Sequence, residues 1–333
     1  MAAADSLKAL LHSHVRGDDE QFYSIAMQLA ASQARQGHAK LAQELLSLVE
    51  EGKERSKQDT PHGVGRAIPL RRPKGELGTI LTAEYPRTRM GELVIESSVR
   101  EKLARTVQEQ RNHSKLARYG LTPRRKLLLV GPPGTGKTMT ASVLAAELGI
   151  PLFSVRLDGL ITKFMGETAA KLRQVFDAAA QVRGVYFFDE FDAIGSQRGL
   201  SNDVGEIRRV LNSFLQLLDL DHSSSLFVAA TNHPEILDYA LFRRFDDVLE
   251  YSLPSSDQAV AMLKHRLASF KAPRIQWTKL ADMAQGLSHA DIAKAAEDAI
   301  KDALINDRSA PAEKDLARTI LERKASRARL RTS

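Results

Sequence analysis

A glycine-rich segment, GPPGTGKT at residues 131–138, sets narrow limits on how this chain can fold. It follows the apolar residues 127–130 and leads into a stretch of helix-forming residues that begins at Met139. A buried strand, a tight loop and a helix N-terminus in this order aim consecutive backbone N–H groups at a phosphate. The segment therefore predicts an α/β domain with a nucleoside-triphosphate site where the strand ends.

Each residue type in this loop has a chemical reason. A backbone without side chains can wrap closely around phosphate oxygens, which explains the repeated glycines. Lys137 is placed to reach the β- and γ-phosphates, and Thr138 offers its hydroxyl to Mg²⁺. The predicted nucleotide-binding residues are Gly131, Pro132, Pro133, Gly134, Thr135, Gly136, Lys137, Thr138 and Met139.

The composition excludes several other classes of site. The chain has 333 residues and no cysteine, so disulfides, thiolate metal sites and cysteine nucleophiles are ruled out. The first residues lack a basic segment followed by a long apolar core, and we expect no signal peptide. The apolar runs are too short to span a bilayer. We therefore expect a cytoplasmic protein without a membrane partner.

The apolar pattern divides the chain into four parts. Three- and four-residue spacing predicts a small helical bundle at residues 1–52, which would bind a client or an adaptor or serve as a packing cap. Residues 53–89, rich in Lys, Arg, Pro and Gly, are predicted to be a linker. Residues 90–253 alternate short strands and helices, which predicts a parallel sheet with helices on both faces. Residues 254–333 are predicted to form a helical lid with a basic tail.

The net charge of +7 is spread unevenly along the chain. The positive excess lies in residues 61–130 and 251–333, whereas residues 131–250 are net acidic. Clustered cations attract nucleic-acid backbones, but few aromatic residues accompany them and no nucleic-acid module is recognisable. We favour solvated faces and protein contacts, and keep nucleic acid as an alternative partner. The cations concerned are Arg66, Arg71, Arg72, Lys74, Arg124, Arg125 and those of residues 323–331.

Later segments supply the other groups that triphosphate hydrolysis needs. A buried apolar run ends in Asp189, which would hold Mg²⁺ through water, and Glu190, which would activate the attacking water as general base. Asn232 ends another apolar run and would hydrogen-bond the γ-phosphate and that water. Arg243 and Arg244 carry planar guanidinium groups that would reach the γ-phosphate of a neighbouring subunit. Taken singly, these features are also typical of a strand end, an Asx turn and surface salt bridges.

In this order and spacing the motifs resemble those of the AAA+ ATPases over roughly residues 90–325. The glycine-rich loop is similar to the Walker A motif of that family, Asp189 with Glu190 to Walker B, and Asn232 to sensor 1. The sequence RRFD at 243–246 resembles the arm of the family that includes katanin and spastin. The resemblance implies ATP and Mg²⁺ as ligands and a homo-oligomeric ring, commonly a hexamer. In such a ring Arg243 and Arg244 of one subunit complete the site of the next.

Two further segments extend the resemblance. Lys163, Phe164, Met165 and Gly166 are similar to a central-pore loop that grips a threaded polypeptide, although a Phe–Met pair facing the core would give the same pattern. Residues 286–291 resemble a lid segment of the family. Ala290 stands near the place where some branches, including remodellers of HORMA proteins, carry a sensor arginine. We expect His289, beside it, to be a polar residue at a helix start rather than a ligand.

These features together predict an ATP-driven remodeller that threads or disassembles a protein client. The compact layout leaves a HORMA-like client open, although the missing sensor arginine counts against it. One alternative is a motor or loader stimulated by nucleic acid. The basic segments favour this alternative, whereas the aromatic Phe164 argues against it. Another is an assembly switch that is controlled by ATP binding rather than by turnover. The chain carries no HExxH protease motif.

Overall fold

The described part of the chain falls into two compact units, Met1–Arg66 and Ala67–Ser333. The computed structural model describes residues 77–160, 165–191, 204–237, 239–270 and 275–332, together with Gly75 and a few residues between 25 and 47. In the first unit, residues 25–27, 29, 30, 43 and 47 are helical, and Ala26 and Ala30 are buried. The rest of the helical bundle predicted at 1–52 lies outside the described residues.

The second unit alternates strands and helices and then becomes helical. Its first part contains α1 (Leu77–Ile80), β1 (Leu81–Glu84), a 3-10 turn (Met90–Glu92), α2 (Ser97–Arg111), α3 (His113–Ala117), β2 (Lys126–Val130), α4 (Lys137–Leu148), β3 (Leu152–Val155), α5 (Leu157–Leu160), α6 (Met165–Gln181), β4 (Val185–Phe188), α7 (Val204–Leu220), β5 (Leu226–Thr231), a second 3-10 turn (Pro234–Ile236), α8 (Tyr239–Phe242) and β6 (Asp247–Glu250). The helical part contains α9 (Ser256–Arg266), α10 (Trp277–Met283), α11 (His289–Ile305) and α12 (Glu313–Thr332).

The six strands form one sheet in the order β1-β3-β4-β5-β2-β6. All neighbouring pairs are parallel except β1 with β3. The strand that leads into the glycine-rich loop, β2, lies between β5 and β6, with Val130 opposite Thr231 on one side and Glu250 on the other. The carboxyl ends of β2 and β5 therefore meet at the same edge, where the predicted phosphate-binding residues lie.

Both faces of the sheet are covered, which agrees with the predicted fold class. Successive residues of β2 point to opposite faces: Leu128 and Val130 pack in one apolar cluster, and Leu127 and Leu129 pack in the other. Burial on both faces explains why the parallel strands are continuous apolar runs rather than alternating ones. The part after Pro254 is helical, as predicted, and has an apolar cluster of its own, built from α9 to α12.

The structure adds detail in two places, within the predicted linker and in the first part of the predicted α/β domain. Residues 77–84, assigned to the linker at 53–89, form α1 and the edge strand β1, which pairs with β3 from Leu81 to Glu84. Within the predicted α/β part, Asn112 separates α2 from α3. The side chain of Asn112 donates to the carbonyl of Gln108 at 2.8 Å, a local hydrogen bond that competes with continuation of the helix.

Candidate nucleotide site

The glycine-rich loop leaves β2 through backbone conformations that favour glycine. Gly131, Gly134 and Gly136 have φ values of 147°, 76° and 102°. A Cβ atom on Gly131 would lie 2.2 Å from the carbonyl oxygen of Tyr251, so no other residue fits there. Below the loop, the Tyr251 hydroxyl and Thr140 Oγ1 are 2.7 Å apart, and burial raises the pKa of Tyr251 to about 12. The loop therefore packs closely against Tyr251, the residue that follows β6.

Lys137 sits at the centre of the loop, and its side chain is almost fully buried. Its Nζ atom donates to the carbonyl oxygens of Gly131 at 2.7 Å and Pro132 at 2.9 Å, and to Asn232 Oδ1 at 2.8 Å. An ammonium group has three donors and no acceptor, so these contacts hold Lys137 in place. They also bring Asn232, at the end of β5, to the loop that follows β2.

The second residue of α4 meets the end of β4. Thr138 Oγ1 donates to Asp189 Oδ2 at 2.8 Å, and the other carboxylate oxygen of Asp189 accepts from the backbone N–H of Glu190 at 3.0 Å. A hydroxyl beside a carboxylate is a set of oxygen ligands that suits Mg²⁺. Glu190 itself is exposed and has a φ of 49°, a left-handed conformation that is uncommon for a residue with a side chain and that clusters at functional sites.

These groups line a cavity of about 470 Å³, which lies between the loop and the lid. On the side of the sheet its described lining includes most of the predicted residues, namely Pro133, Gly134, Thr135, Gly136, Lys137, Thr138, Met139, Asp189, Glu190 and Asn232. Gly131 and Pro132 are the carbonyl partners of Lys137. The structure therefore brings the predicted phosphate-binding residues together with Asp189, Glu190 and Asn232.

The opposite walls come from segments whose role the sequence analysis did not identify. Leu93 and Val94 precede α2, and the lid contributes Met262, Arg266 and Ala293. The apolar side chains of this wall suit the base and sugar of a nucleotide. For this wall, the sequence feature that could have been recognised is the Ser-x-x-Asp pattern at 288–291, which marks a helix N-terminus. Ser288 and Asp291 do form a capping box at the start of α11.

His289, the first residue of α11, lines the same cavity. Both ring nitrogens are buried and have no hydrogen-bond partner among the described residues. Burial lowers the pKa of His289 below its ordinary value of 6.5, and the nearby backbone of Val94 opposes that shift without completing a hydrogen bond. The structure thus agrees with a position at a helix start and adds that burial disfavours the charged form of this imidazole.

The two predicted arginines lie elsewhere. Arg243 is exposed, and Arg244 Nε donates to Asp219 Oδ2 at 2.7 Å. Neither belongs to the described residues that line the chain's own cavity. Of the predicted pore segment, Lys163 and Phe164 lie outside the described residues, while Met165 and Gly166 begin α6.

The comparisons with known proteins agree with this site. Residues 127–253 match the model of the ATPase family associated with various cellular activities (AAA). The uncharacterized AAA family ATPase y4kL of Sinorhizobium fredii is 35% identical over 335 residues, which cover 99% of each chain. This chain belongs to the AAA family of ATPases. The family binds ATP with Mg²⁺ as the usual partner cation, and the chain is an ATPase, as the sequence predicted.

Two further similarities are narrower. The ATP-dependent zinc metalloprotease FtsH 4 of Sphaerobacter thermophilus is 36% identical over 228 residues, which cover 66% of this chain but 35% of that protein. The crystal structure of the FIGL-1 AAA domain matches with a TM-score of 0.60 and 23% identity, over 77% of this chain and 91% of that one. At this identity the match supports the fold. In the described part of the chain, no helix has both the length and the apolarity needed to cross a membrane.

Proposed function

We propose that this AAA ATPase is a protein remodeller that works as a homo-oligomeric ring, with a hexamer as the expected size, and that neighbouring copies share each ATP site. The observation that carries the proposal is the separation of charges in one chain. Lys137, Asp189, Glu190 and Asn232 line one cavity, whereas Arg243 and its neighbour Arg244 do not. For Arg243 or Arg244 to stabilise the transferred phosphate, it would have to reach the site from another copy.

Within the cavity, we assign each group a role in hydrolysis. Glu190 would take the proton of the attacking water, and Asn232 would orient that water, since its amide lies beside Lys137 at the end of β5. Lys137 would exchange some of its loop carbonyls for phosphate oxygens. Thr138 and Asp189 would hold Mg²⁺, which, when bound, offsets phosphate charge.

The position of the cavity offers a route from hydrolysis to movement. One wall is the loop on the sheet, and the other is the lid, through residues such as Met262 and Ala293. The contacts of a nucleotide that touches both walls differ before and after hydrolysis, which changes how the lid is held. In a ring, this movement would displace the segment at 163–166, in which Phe164 would grip a polypeptide.

Several observations favour a protein client over nucleic acid. Several basic residues of the described part are compensated by ion pairs: Arg323 pairs with Asp298, Arg327 with Asp291, and Arg125 with Asp221. The matched FtsH 4 is by name an ATP-dependent protease. The 333 residues of this chain contain no HExxH motif, so we propose unfolding or disassembly of a client presented by residues 1–52. A HORMA-like protein is one candidate client.

A mixing experiment tests the shared site. Lys137→Ala should prevent ATP binding but keep the arginines, and Arg243→Ala should keep ATP binding but lose the finger, so each variant alone should lose ATPase activity by about 10³-fold or more. When the two variants are co-expressed with different tags and purified through both tags, activity should recover well above that of either variant. Size measurement with ATP gives the ring size.

The control is Arg118→Ala, which removes one exposed positive charge and should leave activity near the wild-type level. Doubly tagged oligomers that form but recover no activity would contradict the shared site. Sizes that stay those of a single chain with ATP would contradict the ring.

A further inference from the structure

The start of the lid helix α11 rests directly on the phosphate loop. The backbone N–H of Ala290 donates to the carbonyl oxygen of Gly134 at 3.0 Å. A Cβ atom on Gly134 would lie 2.6 Å from Ser288 Oγ and 3.1 Å from the Cβ atom of Ala290. The position of this helix start therefore affects the shape of the loop that takes the phosphates.

A capping box holds the helix start in shape. Asp291 Oδ2 accepts from the backbone N–H of Ser288 at 3.0 Å and from Ser288 Oγ at 2.7 Å. In return, Ser288 Oγ accepts from the backbone N–H of Asp291 at 3.2 Å. Ser288 is 4% exposed, so these hydrogen bonds are sheltered from water. The carboxylate of Asp291 therefore holds Ser288 in place at the helix start.

The same carboxylate oxygen accepts a third hydrogen bond, which comes from the C-terminal helix. Arg327 Nη1 lies 3.0 Å from Asp291 Oδ2, and both side chains are partly buried. A continuous path of contacts thus runs from Arg327 through Asp291 and Ser288 to Gly134. Its far end lies on α12, in the segment that the sequence analysis treated as a basic tail.

Two other arginines of α12 make ion pairs that do not reach the loop. Arg323 pairs with Asp298, and Arg318 pairs with Asp302, both on α11 beyond its first turn. Asp298 also lies within ion-pair distance of Lys294 and Lys301. These pairs join the two helices but do not touch the capping box. Arg327 therefore differs from its neighbours in the residue that it contacts.

We propose that Arg327 is a positioning residue for nucleotide binding: by holding Asp291, it keeps the lid helix seated on Gly134 and makes nucleotide affinity depend on the C-terminal helix. The proposal needs ATP binding in this cavity, but it does not need a ring or a client. Loss of Arg327 loosens the helix start, so the loop is less well ordered before the nucleotide arrives. Affinity should fall, while the rate of hydrolysis of bound ATP should change little because Glu190 and Asn232 are untouched.

The test compares Arg327→Ala with Arg323→Ala in the full chain. A fluorescent ADP analogue gives the Kd, steady-state ATPase assays give KM and kcat, and thermal unfolding without nucleotide gives the Tm. We expect Arg327→Ala to raise Kd and KM by about fivefold, the lower end of typical coupling between sites, with kcat within about twofold of wild type. Arg323→Ala should lower the Tm to a similar extent but leave Kd and KM near their wild-type values.

Two further variants separate positioning from general destabilisation. Arg327→Lys keeps a positive charge near Asp291 and should restore part of the affinity. Asp291→Asn should raise Kd, and adding Arg327→Ala to it should raise Kd much less than in the wild-type background, because the interaction is already lost. Equal effects of Arg327→Ala and Arg323→Ala on Kd, or an unchanged Kd with a lowered Tm, would overturn the proposal. A wild-type chain that binds the analogue but forms no ring would instead count against the proposed function alone.

Discussion

At the scale of single residues, His289 is unusual because both of its ring nitrogens are buried without hydrogen bonds to the described residues. A buried polar group without a partner costs free energy, and more so when it is charged. The lowered pKa follows from burial, since the neutral imidazole is the form that a dry environment tolerates better. The sequence indicated the helix start at this position but not the burial, because burial depends on tertiary contacts such as the approach of Val94 to the lid.

This burial predicts a pH dependence of stability. Below pH of about 6.5 the unfolded chain protonates His289, whereas the folded chain does not until a lower pH. The free energy of unfolding should therefore fall as the pH falls from 7.5 to 5.5, and part of that fall should be absent in His289→Gln. Urea unfolding at several pH values measures it. The exposed His113 provides the control, since His113→Gln should keep the wild-type slope; equal slopes for all three proteins would contradict the prediction.

The other site residues were predictable because each one follows an apolar run. A strand that ends in a loop places the residues after it at the edge of the sheet. GPPGTGKT, Asp189 and Asn232 therefore lie close together when β2, β4 and β5 are in one parallel part of the sheet. The cavity wall formed by Met262 and Arg266 was not predictable in the same way. Those residues lie on an ordinary amphipathic helix, and its approach to the loop is a tertiary contact that no local pattern records.

At the scale of elements, β1 is the strand that the sequence pattern did not predict. This strand has four residues, of which Leu81 alone is fully buried. An edge strand pairs on one side only and needs no continuous apolar run, so its pattern did not differ from that of a linker. The central strands, in contrast, are buried on both faces and were predictable from their runs of apolar residues.

The contact between α11 and the phosphate loop predicts a specific effect of Gly134→Ala. Gly134 and Gly149 both have positive φ values, 76° and 65°, but a Cβ atom on Gly149 would meet nothing within 4 Å. Both substitutions should lower the free energy of unfolding by about 1 kcal/mol through backbone strain. Gly134→Ala alone should also weaken ATP binding by about tenfold or more, because the new methyl group displaces the lid helix.

A second substitution identifies the cause. Ser288→Gly removes the Oγ and Cβ atoms that the methyl group would meet, and glycine is a tolerated N-cap residue. Combined with Gly134→Ala, it should restore part of the ATP affinity, as measured by titration with a fluorescent ATP analogue. Absence of any rescue would mean that the phosphate loop itself, and not the lid contact, suffers from the methyl group.

At the scale of the whole molecule, the AAA fold accounts for ATP chemistry, and the work done with it depends on the client. Fold alone does not determine function. The sheet, the loop and the lid follow from patterns in this one chain. The proposed contact of Arg243 with a neighbour would arise in a ring, and the proposed grip of Phe164 would arise in a ring that holds a client, so a single chain can test neither.

The last prediction therefore uses a ring that is stalled with ATP. Glu190→Gln removes the proposed base and keeps the size of the side chain, so kcat should fall by about 10²- to 10⁴-fold while ATP stays bound. Purified from lysate with ATP, this variant should retain a protein client. Adding Phe164→Ala should release the client without loss of bound ATP, because the aromatic grip is gone, whereas adding Tyr119→Ala, which changes an exposed aromatic residue, should not.

Mass spectrometry of the retained material, with and without nuclease, distinguishes the outcomes. Material that is retained only with ATP and resists nuclease is a protein client, and its identity then decides whether a HORMA-like protein is involved. Retention that nuclease treatment abolishes would indicate that nucleic acid, and not a protein, is the substrate. A Phe164→Ala variant that keeps its client would contradict the pore role and leave Phe164 as a packing residue, since a side chain that grips a polypeptide cannot be truncated without weakening the grip.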